Sequence, residues 1–364
     1  MRAATAADGD APSSARGRVS WIDAAKGLGI ILIVLGHIAS VESPSLLYVY
    51  IYAFHVPLFF FISGLTLKPE RDAFGTMLRG KLRSLLLPYL CYALLGYGFY
   101  IAGYGLAQAL HLKIEQFNYG PWHPLLGVFI GTLGDGNLVN TPVWFIIALF
   151  CTFVIGYAIN RWIPSMALRW VAVLLLAAAG YLVSREVKLP WSLSSALVGL
   201  VFFQAGHTHA RRFGLQPLPP RLLGGLLAIT AAVSLFSPLN GFVTLADMEL
   251  GRPPLYALFA FSGLYMTIAL TQWLAHRGAW LAQLGRWSMA IMVIHMLIIK
   301  SVKVALAAAL HVGIAQIESS WQASLGVLLL TMVLLVPSVW ILERFLPVTL
   351  GKTVSPVRTP AARP

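Results

Sequence analysis

Three ionisable side chains interrupt an apolar segment near the N-terminus, "DAAKGLGIILIVLGHIA" (23–39). Lys26 and His37 are eleven residues apart, so a helix places them on nearly the same face, roughly 16 Å apart along its axis. Asp23 lies one turn before Lys26 and can pair with it. Because lipid exposure of such groups is costly, they are expected to face the bundle interior or a wet cavity. The alternative is a packed neutral histidine with a lysine that extends to the membrane surface.

A second histidine belongs to the next apolar segment, "YAFHVPLFFFISG" (52–64). The connection between the two segments is short, so they are antiparallel neighbours, and His55 lies within about one turn of His37 in depth. Pro57 predicts a kink that frees a backbone carbonyl. Ser63 and Gly64 allow another backbone to approach closely near the cytoplasmic end of this segment. Two neighbouring histidines inside the membrane favour proton-transfer or nucleophilic chemistry.

Three cations precede the third apolar segment in "LRGKLRSLLLPYL" (78–90). They are Arg79, Lys81 and Arg83. Such clusters commonly contact lipid headgroups beside a membrane span. Next to the Lys26 end of the first helix, the cluster also predicts a site for a phosphate-bearing cytosolic ligand. The spacing alone leaves both interpretations open.

The composition is that of a polytopic membrane protein, because 58% of the 364 residues are hydrophobic and only 11% are charged. Apolar segments of about 20 residues have the length that crosses a bilayer as a helix. They fall near 22–40, 47–67, 84–107, 143–160, 167–184, 191–209, 222–239, 255–274, 287–310 and 322–342. We therefore predict an all-α fold of about ten transmembrane helices.

The basic residues are distributed unevenly between alternate loops. With a cytoplasmic N-terminus, 20 of the 26 Lys and Arg residues lie on the cytoplasmic side and four on the outer side. This bias predicts that both termini are cytoplasmic. Residues 1–20 then form a disordered cytoplasmic tail, 21–345 the transmembrane domain and 346–364 a second cytoplasmic tail. The asymmetry also explains the net charge of +13 without nucleic-acid binding.

The remaining histidines and cysteines carry weaker signals. His207 and His209 have no Cys or acidic residue nearby in the sequence, so we predict no metal site there. Cys91 and Cys151 lie inside apolar segments, where a cysteine usually acts as a small buried hydrophobe.

Two outer loops, 108–142 and 240–254, contain the polar residues of that side. Those suited to hydrogen-bond hydroxyl groups, or simply water, are Asp135, Asn137, Asn240, Asp247 and Glu249. An apolar patch at 125–133 predicts a re-entrant or interfacial piece.

The segments "RVSWIDAAKGLGIILIVLGHI" (18–38) and "FHVPLFFFISGLTLKP" (54–69) resemble the integral-membrane acyltransferase family 3. The similarity is to its branch of fucose 4-O-acetylase-like and exopolysaccharide O-acetyltransferases. Lys26 and His37 match the family pattern of a basic residue, ten intervening residues and a histidine. Weaker similarity continues in "TPVWFIIALF" (141–150), which contains Trp144, and in "LGRWSMAIMVIHMLI" (284–298), which contains His295.

This resemblance implies that the protein transfers an acyl group, usually acetyl from cytosolic acetyl-CoA, to a carbohydrate hydroxyl. Acetyl-CoA is then a substrate, and no bound cofactor is expected. The acceptor implied is a lipid-linked or exported polysaccharide at the bacterial inner membrane, a setting that allows association with polysaccharide-assembly proteins. His37 matches the family's catalytic histidine and Lys26 its basic partner, with Asp23 beside it.

The implied donor site lies at the cytoplasmic mouth, and the residues expected there are Arg79, Lys81, Arg83 and Ser63. The arm of the donor would thread the bundle until its acyl carbon reaches His37. We predict that His37 acts as a general base, with an acetyl-imidazole intermediate as the alternative. The residues expected to orient His37 or to bind the acceptor are His55, Trp144 and His295.

Two other functions also suit a membrane protein with cationic loops. One is a transporter or flippase for a lipid-linked glycan, and the other is a structural subunit of a polysaccharide export complex. Coupled carriers generally use a carboxylate inside a span and are often built from internal repeats. None of the thirteen acidic residues lies well inside a predicted span, and the sequence has no visible repeat. Acyl transfer is therefore favoured over transport, whereas a His37→Ala variant would separate it from a structural role, since only an enzyme would lose acylation.

Overall fold

The protein is built almost entirely from helices. The computed structural model describes residues 19–38, 44–109, 111, 117–134, 137–274 and 278–353. The helices are, in chain order, α1 (Ser20–Ile38), α2 (Leu46–Tyr52), α3 (His55–Leu65), α4 (Phe74–Lys81), α5 (Leu87–Ala109), α6 (Trp122–Ile130), α7 (Trp144–Trp162), α8 (Met166–Val183), α9 (Leu193–Phe213), α10 (Pro220–Ser234), α11 (Pro253–Trp273), α12 (Ala279–Arg286), α13 (Ser288–Leu310), α14 (Ile314–Ser319) and α15 (Trp321–Phe345). Within these ranges the sole strand-like pairing is an antiparallel bridge between Thr244 and Glu249. The predicted all-α fold is confirmed.

Nine helical segments of the described chain are long and apolar enough to cross a membrane, so this is a polytopic membrane protein. They correspond to nine of the ten predicted segments. The remaining segment, 191–209, is α9, which is less apolar and packs against α3, α7 and α8. Its 21 residues give a length of about 31 Å, enough to span a bilayer. The count of ten and the cytoplasmic termini remain predictions, and residues 1–18 and 354–364 of the predicted tails lie outside the described residues.

The second span is divided into α2 and α3 after Ala53. Pro57 explains the position of the break, because it has no N–H to bond the carbonyl of Ala53 four residues earlier. Phe54 leaves the helical conformation, with φ −143° and ψ −13°. His55 then begins α3, where it is buried. The predicted kink is therefore a full break in the helix, and it falls directly before the second histidine.

The third span begins ten residues earlier than the predicted 84–107, because α4, a π-helical turn (Leu82–Leu86) and α5 form one continuous helix, Phe74–Ala109. Pro88 accounts for the wide turn, since its missing N–H leaves the carbonyl of Ser84 without the usual helical partner.

This early start places the three cations of the third segment on a helix instead of in a loop. Arg79 and Arg83 are four residues apart and share one face, whereas Lys81 lies on the opposite face. Accordingly, Lys81 is half-buried, and both arginines are exposed.

Close crossings at glycine hold α1 and α3 in place. Gly285 of α12 lies directly on α1, where any side chain would overlap the carbonyl oxygen of Asp23. α3 meets α9 in the same way at Gly64, against the carbonyl of Phe203. Small residues at such crossings let the backbones pack closely inside a membrane. The face of α1 that carries Asp23 and Lys26 is therefore oriented by α12.

The centre of the bundle is formed by α1, α3 and α7, whereas α8, α10 and α15 lie at its periphery. In the span that contains α7, 83% of an apolar 18-residue stretch is buried, against 17% in the span that contains α10. The exposed apolar side chains of the peripheral helices meet lipid. The chemistry-bearing residues of α1 and α3 therefore lie inside the protein.

The predicted re-entrant or interfacial piece is α6, a short helix with an apolar exposed face. Its side chains Trp122, Leu126 and Phe129 are all more than half exposed. The last carbonyls of α6 accept hydrogen bonds from the Tyr89 hydroxyl and the Trp191 indole. These bonds fix α6 against α5 and the segment that precedes α9. Asp135, in the following turn, lies outside the described residues.

Candidate functional site

A cavity of about 230 Å³ lies at the His37 end of α1. Its walls come from α1, α2, α3, α7 and α13 and from the loops that precede α7 and α11. His37, His55 and Trp144, three of the predicted site residues, line it. The remaining wall is mainly aromatic and aliphatic, as is typical of small-molecule sites. We call it the outer cavity, because the predicted topology would place it on the outer side.

His295 joins this group from α13. Its ring centroid lies 5.3 Å from that of His37. Tyr52 lies between the other two histidines, with ring centroids 6.4 Å from His37 and 4.7 Å from His55. His295 is fully buried, whereas His37 is half-buried because it borders the cavity. The structure thus brings together the four predicted residues His37, His55, Trp144 and His295.

Backbone carbonyls fix the tautomers of two of these histidines. Nδ1 of His55 is 2.8 Å from the carbonyl oxygen of Ile51, and Nδ1 of His295 is 2.9 and 3.0 Å from two carbonyls one turn earlier in α13. A carbonyl only accepts, so Nδ1 donates in both rings, and Nε2 of each neutral ring is an acceptor.

The acceptor nitrogen of His295, Nε2, is buried and has no hydrogen-bond partner in the part of the chain that the structure describes. Its ring neighbour is His37, whose N–H is a suitable donor. Such a bond would leave the second nitrogen of His37 as a lone pair toward the cavity, the form required of a base.

The position of Trp144 is set by Asn140, four residues earlier. Asn140 is fully buried, and its Nδ2 donates to the carbonyls of Tyr92 at 3.2 Å and Val293 at 2.8 Å. These bonds tie the start of α7 to α5 and α13. Trp144 consequently begins α7 at the cavity wall, where its indole N–H is a candidate donor to a substrate oxygen.

Sequence reasoning missed an aromatic group in the same wall. Tyr48 and Tyr52 stack with ring centroids 4.2 Å apart, and the Phe242 ring lies 5.3 and 5.2 Å from them. The spacing of the two tyrosines already predicts a shared helical face. Phe242 belongs to a distant loop, and no local pattern indicates its contact.

A second pocket, of about 610 Å³, lies at the other end of α1. Asp23 and Lys26 line it, and Lys26 Nζ is 3.4 Å from Asp23 Oδ1. Lys68, Arg286 and Lys352 border the same space. Four cations against two carboxylates, Asp23 and a glutamate of α15 that pairs with Lys352, leave an excess of positive charge. We call this space the inner pocket, and its charge suits an anion.

Lys81 lines a smaller pocket of about 340 Å³ that shares Thr66 and Lys68 with the inner pocket. Its ammonium group lies 3.4 Å from the centroid of the Phe153 ring, a cation–π contact. Lys81 is thus held toward the same region as Lys26. We call this space the side pocket.

The other predicted donor-binding residues line neither of these pockets. Arg79 is exposed, and Arg83 donates to the carbonyl of Lys352 at 2.8 Å. Ser63 lies on α3 beside the Gly64 crossing, and its carbonyl accepts from the Thr66 hydroxyl at 2.8 Å. Of the four predicted residues, only Lys81 lines one of these pockets, and Arg83 reaches the inner pocket indirectly through its bond to Lys352.

Aromatic rings occupy the depth between the inner pocket and the outer cavity. Phe59, a wall residue of the outer cavity, packs so closely on α1 that a Cβ at Gly29 would lie 2.8 Å from its ring. Phe145 contacts both Phe59 and Phe60, with ring centroids 5.9 and 5.2 Å apart. Gly29 lies between Lys26 and His37 in α1. Any extended ligand that joins the two ends of α1 must therefore pass these rings.

Acid–base chemistry and anion binding are the chemistry that these groups offer. Among the described residues, no three His, Cys, Asp or Glu side chains are grouped to hold a metal ion. Cys91 and Cys151 are both free thiols.

Comparison with known families agrees with this chemistry. An acyltransferase domain model, that of acyltransferase family 3, matches residues 19–344, which include both ends of α1 and all the residues of the outer cavity. No curated protein and no solved structure matches the chain significantly. The resemblance based on Lys26, His37 and the "FHVPLFFFISG" segment is thereby confirmed at the level of the family, while its branch stays a prediction. The chain belongs to acyltransferase family 3 and is a membrane acyltransferase.

Proposed function

We propose that the protein transfers an acetyl group from acetyl-CoA to a sugar hydroxyl of an exopolysaccharide or of its lipid-linked precursor. One observation carries the proposal: α1 has cations around one end and a histidine cluster in a cavity at the other. The two ends are roughly 16 Å apart. An acyl-CoA is divided in the same way, into an anionic nucleotide and a long neutral arm that ends in a thioester.

The inner and side pockets supply the charge for the nucleotide end. Lys26, Lys68 and Lys81 converge there from three different helices or loops. Phosphate groups form charge-assisted hydrogen bonds with such cations. The neutral arm would then extend past the ring of Phe59 toward His37. This arrangement keeps the phosphates near water while the thioester enters the low-dielectric interior.

The reaction at His37 requires a base that later returns its proton. His37 takes the proton of the sugar hydroxyl as the oxygen attacks the thioester carbonyl carbon. The tetrahedral intermediate collapses, the C–S bond breaks, and the coenzyme A thiolate receives the proton from the imidazolium. We assign His295 a positioning role, in which its Nε2, without a partner among the described residues, comes to accept the other N–H of His37 during the reaction. The indole N–H of Trp144 donates to the developing oxyanion, and Nε2 of His55 is an acceptor for a hydroxyl of the sugar.

The acceptor approaches from the outer side, where the outer cavity lies in the predicted topology. In this scheme the acetyl group crosses the membrane and the sugar does not. The bacterial inner membrane is the expected location, since acetyl-CoA is cytosolic and the polymer is exported. Proteins of polysaccharide assembly are then natural neighbours.

The test measures acetyl-CoA turnover by full-length protein in lipid nanodiscs with a lipid-linked oligosaccharide extract. Free coenzyme A is followed by thiol release and acetylated glycan by mass spectrometry. For the wild-type protein we expect glycan-stimulated release and a product heavier by one acetyl group. His37→Ala should lower this rate by about 100-fold or more, the contribution of a general base.

His209→Ala is the matched control, because His209 is a half-buried histidine at the other side of the bundle with ring contacts to Phe61 and Tyr265. Its rate should stay close to that of the wild type. If the wild-type protein neither binds nor turns over acetyl-CoA, acetyl-CoA is not its acyl donor. Equal rates for the wild type and His37→Ala would refute the role of His37 as general base.

A further inference from the structure

The loop between α10 and α11 is held in one conformation beside the outer cavity. Thr244 and Glu249 exchange backbone hydrogen bonds of 2.8 and 3.0 Å across its tip. Ser195 of α9 donates to the carbonyl of Leu245 at 2.8 Å. The side chain of Asn240 closes the base of the loop with two backbone hydrogen bonds, of 2.9 and 3.0 Å. The groups that this loop presents to the cavity are therefore fixed in advance.

One of these groups is a carboxylate that forms no salt bridge with any residue that the structure describes. Asp247 is the single acidic residue among the described residues that line the outer cavity, and no Lys or Arg lines it. The Thr244 hydroxyl donates to its Oδ2 at 3.3 Å, which orients the group. A carboxylate offers about four acceptor positions. Most of them are left for a ligand that brings hydrogen-bond donors.

The second group is the aromatic wall formed by Tyr48, Tyr52 and Phe242. The three rings lie within 5.3 Å of one another, and Tyr52 also contacts His37 and His55. The Tyr48 hydroxyl is buried and has no hydrogen-bond partner in the described ranges. The wall thus combines apolar ring surface with an unused polar group.

We infer that Asp247, Thr244 and this aromatic wall form the subsite for the acceptor sugar. Asp247 accepts hydrogen bonds from ring hydroxyls other than the one that is acylated. The C–H face of the pyranose packs on Tyr52 and Phe242. Because Tyr52 also contacts His37, a sugar held there presents a neighbouring hydroxyl to the base. The inference rests on the proposed function in that it makes this sugar the acyl acceptor.

The chemistry of the subsite favours a neutral sugar over other acceptors. A fatty alcohol has one hydroxyl, so it would use only one of the acceptor positions of the exposed Asp247 carboxylate. An amine would pair with Asp247 but has no apolar face to cover the three rings. A pyranose brings both several hydroxyl donors and an apolar face.

The subsite is tested by direct binding, independently of catalysis. Full-length protein in nanodiscs is titrated with methyl β-D-glucopyranoside, methyl β-D-galactopyranoside and methyl α-D-mannopyranoside, and binding is followed by saturation-transfer difference NMR. We expect at least one glycoside to bind the wild type. Asp247→Asn, which keeps the shape of the side chain, should weaken that glycoside by about tenfold or more. Phe242→Ala should weaken it as well.

Glu249→Gln is the matched control, because Glu249 is an exposed carboxylate of the same loop that does not line the outer cavity. It should leave glycoside binding unchanged. Acetyl-CoA binding should be unchanged in all of these variants, since the donor phosphates lie at the other end of α1. Equal glycoside affinity for Asp247→Asn and Glu249→Gln would overturn the subsite, as would the absence of any glycoside binding to the wild type. Methyl glucosaminide, which carries an amine, is titrated as a further probe. If it bound and none of the neutral glycosides did, the acceptor would be cationic, and this result would also overturn the subsite for a neutral sugar.

The two levels of the proposal fail separately. Glycoside binding that depends on Asp247, with no acetyl-CoA turnover, would keep the sugar site and refute the proposed transfer. Turnover that is lost in His37→Ala but unaffected by Asp247→Asn would keep the transfer and overturn the subsite.

Discussion

Removal of the acceptor nitrogen of His295 should slow acyl transfer without weakening donor binding. The side chain is fully buried, and its Nδ1 is occupied by two carbonyls of its own helix. Its orphan Nε2 is therefore left to bond His37. His295→Phe preserves most of the ring volume but has no acceptor. His295→Gln keeps an acceptor oxygen near the position of Nε2.

The size of the effect follows from the charge on His37 during the reaction. When His37 holds the proton of the hydroxyl it is an imidazolium, so the bond to His295 is charge-assisted. Hydrogen bonds to charged groups contribute about 1.5–3 kcal/mol. At 1.36 kcal/mol for each factor of ten, their loss lowers kcat by about 10- to 150-fold. Ground-state binding does not use this charge, so KM for either substrate should change little.

The assay is the thiol-release measurement with kcat and KM determined for both substrates. We expect a large drop in kcat for His295→Phe and substantial recovery in His295→Gln. Thermal unfolding in detergent separates this effect from a loss of packing, because a purely structural histidine would affect both variants equally. A kcat for His295→Phe within about twofold of the wild type, against the loss of tenfold or more expected here, would refute the orienting bond. If His295→Phe and His295→Gln lost kcat equally, and each loss accompanied a fall in Tm, the role of His295 would be packing alone.

Three further results are expected. Lys81→Met should weaken acetyl-CoA binding by about tenfold, because Lys81 lines the side pocket. Arg79→Met, on the exposed face of the same helix, should leave this binding unchanged. Equilibrium binding of labelled coenzyme A measures both variants, and equal effects would refute the assignment of Lys81 to the donor site. Gly285→Ala should destabilise the protein by about 1–3 kcal/mol, because its Cβ would overlap the backbone of α1. Gly224→Ala is the control, since a Cβ at Gly224 would have no atom within 4 Å and should not destabilise the protein. Thermal unfolding tests this pair. Trp144→Phe should lower kcat by about 100-fold, because it removes the indole N–H that binds the oxyanion, with the acetyl-CoA dissociation constant unchanged. An unaltered kcat would refute this role of Trp144.

Helix geometry made one half of the site predictable from sequence. The spacing of Lys26 and His37 fixes their relative positions on α1, because 1.5 Å and 100° per residue are properties of any α-helix. His55 could be placed beside His37 because a short connection forces neighbouring spans to be antiparallel. Pro57 indicated the irregularity before it. Each of these inferences depends on contacts that are local in the chain.

The other half depends on contacts between distant segments, which periodicity does not encode. Phe242 and Asp247 reach the cavity through a loop whose bonds to α9 and to its own base have no sequence pattern. The sequence groups Lys81 with Arg79 and Arg83 because all three precede the predicted start of the third span at residue 84. Because the helix begins at Phe74 instead, Lys81 lies on the opposite face from the two arginines. The orphan nitrogen of His295 depends on its rotamer, which the sequence does not specify.

The placement of charge along α1 gives the site its physical logic. A thioester and a hydroxyl are both neutral, and their reaction develops charge on an oxygen and on an imidazole. In a low-dielectric cavity, oriented dipoles stabilise such charge more strongly than water does. His55 and His295 are anchored by backbone carbonyls and not by carboxylates, so neither of them brings a negative charge next to the forming oxyanion. Cations surround the inner pocket for the phosphates, Asp247 borders the outer cavity for the sugar, and Lys300 and Lys303 of α13 are close enough to interact electrostatically with His37. On this view, an acidic residue introduced next to His37, for example Met292→Asp in the cavity wall, should strengthen the base but lower kcat, because the oxyanion then forms against a fixed negative charge.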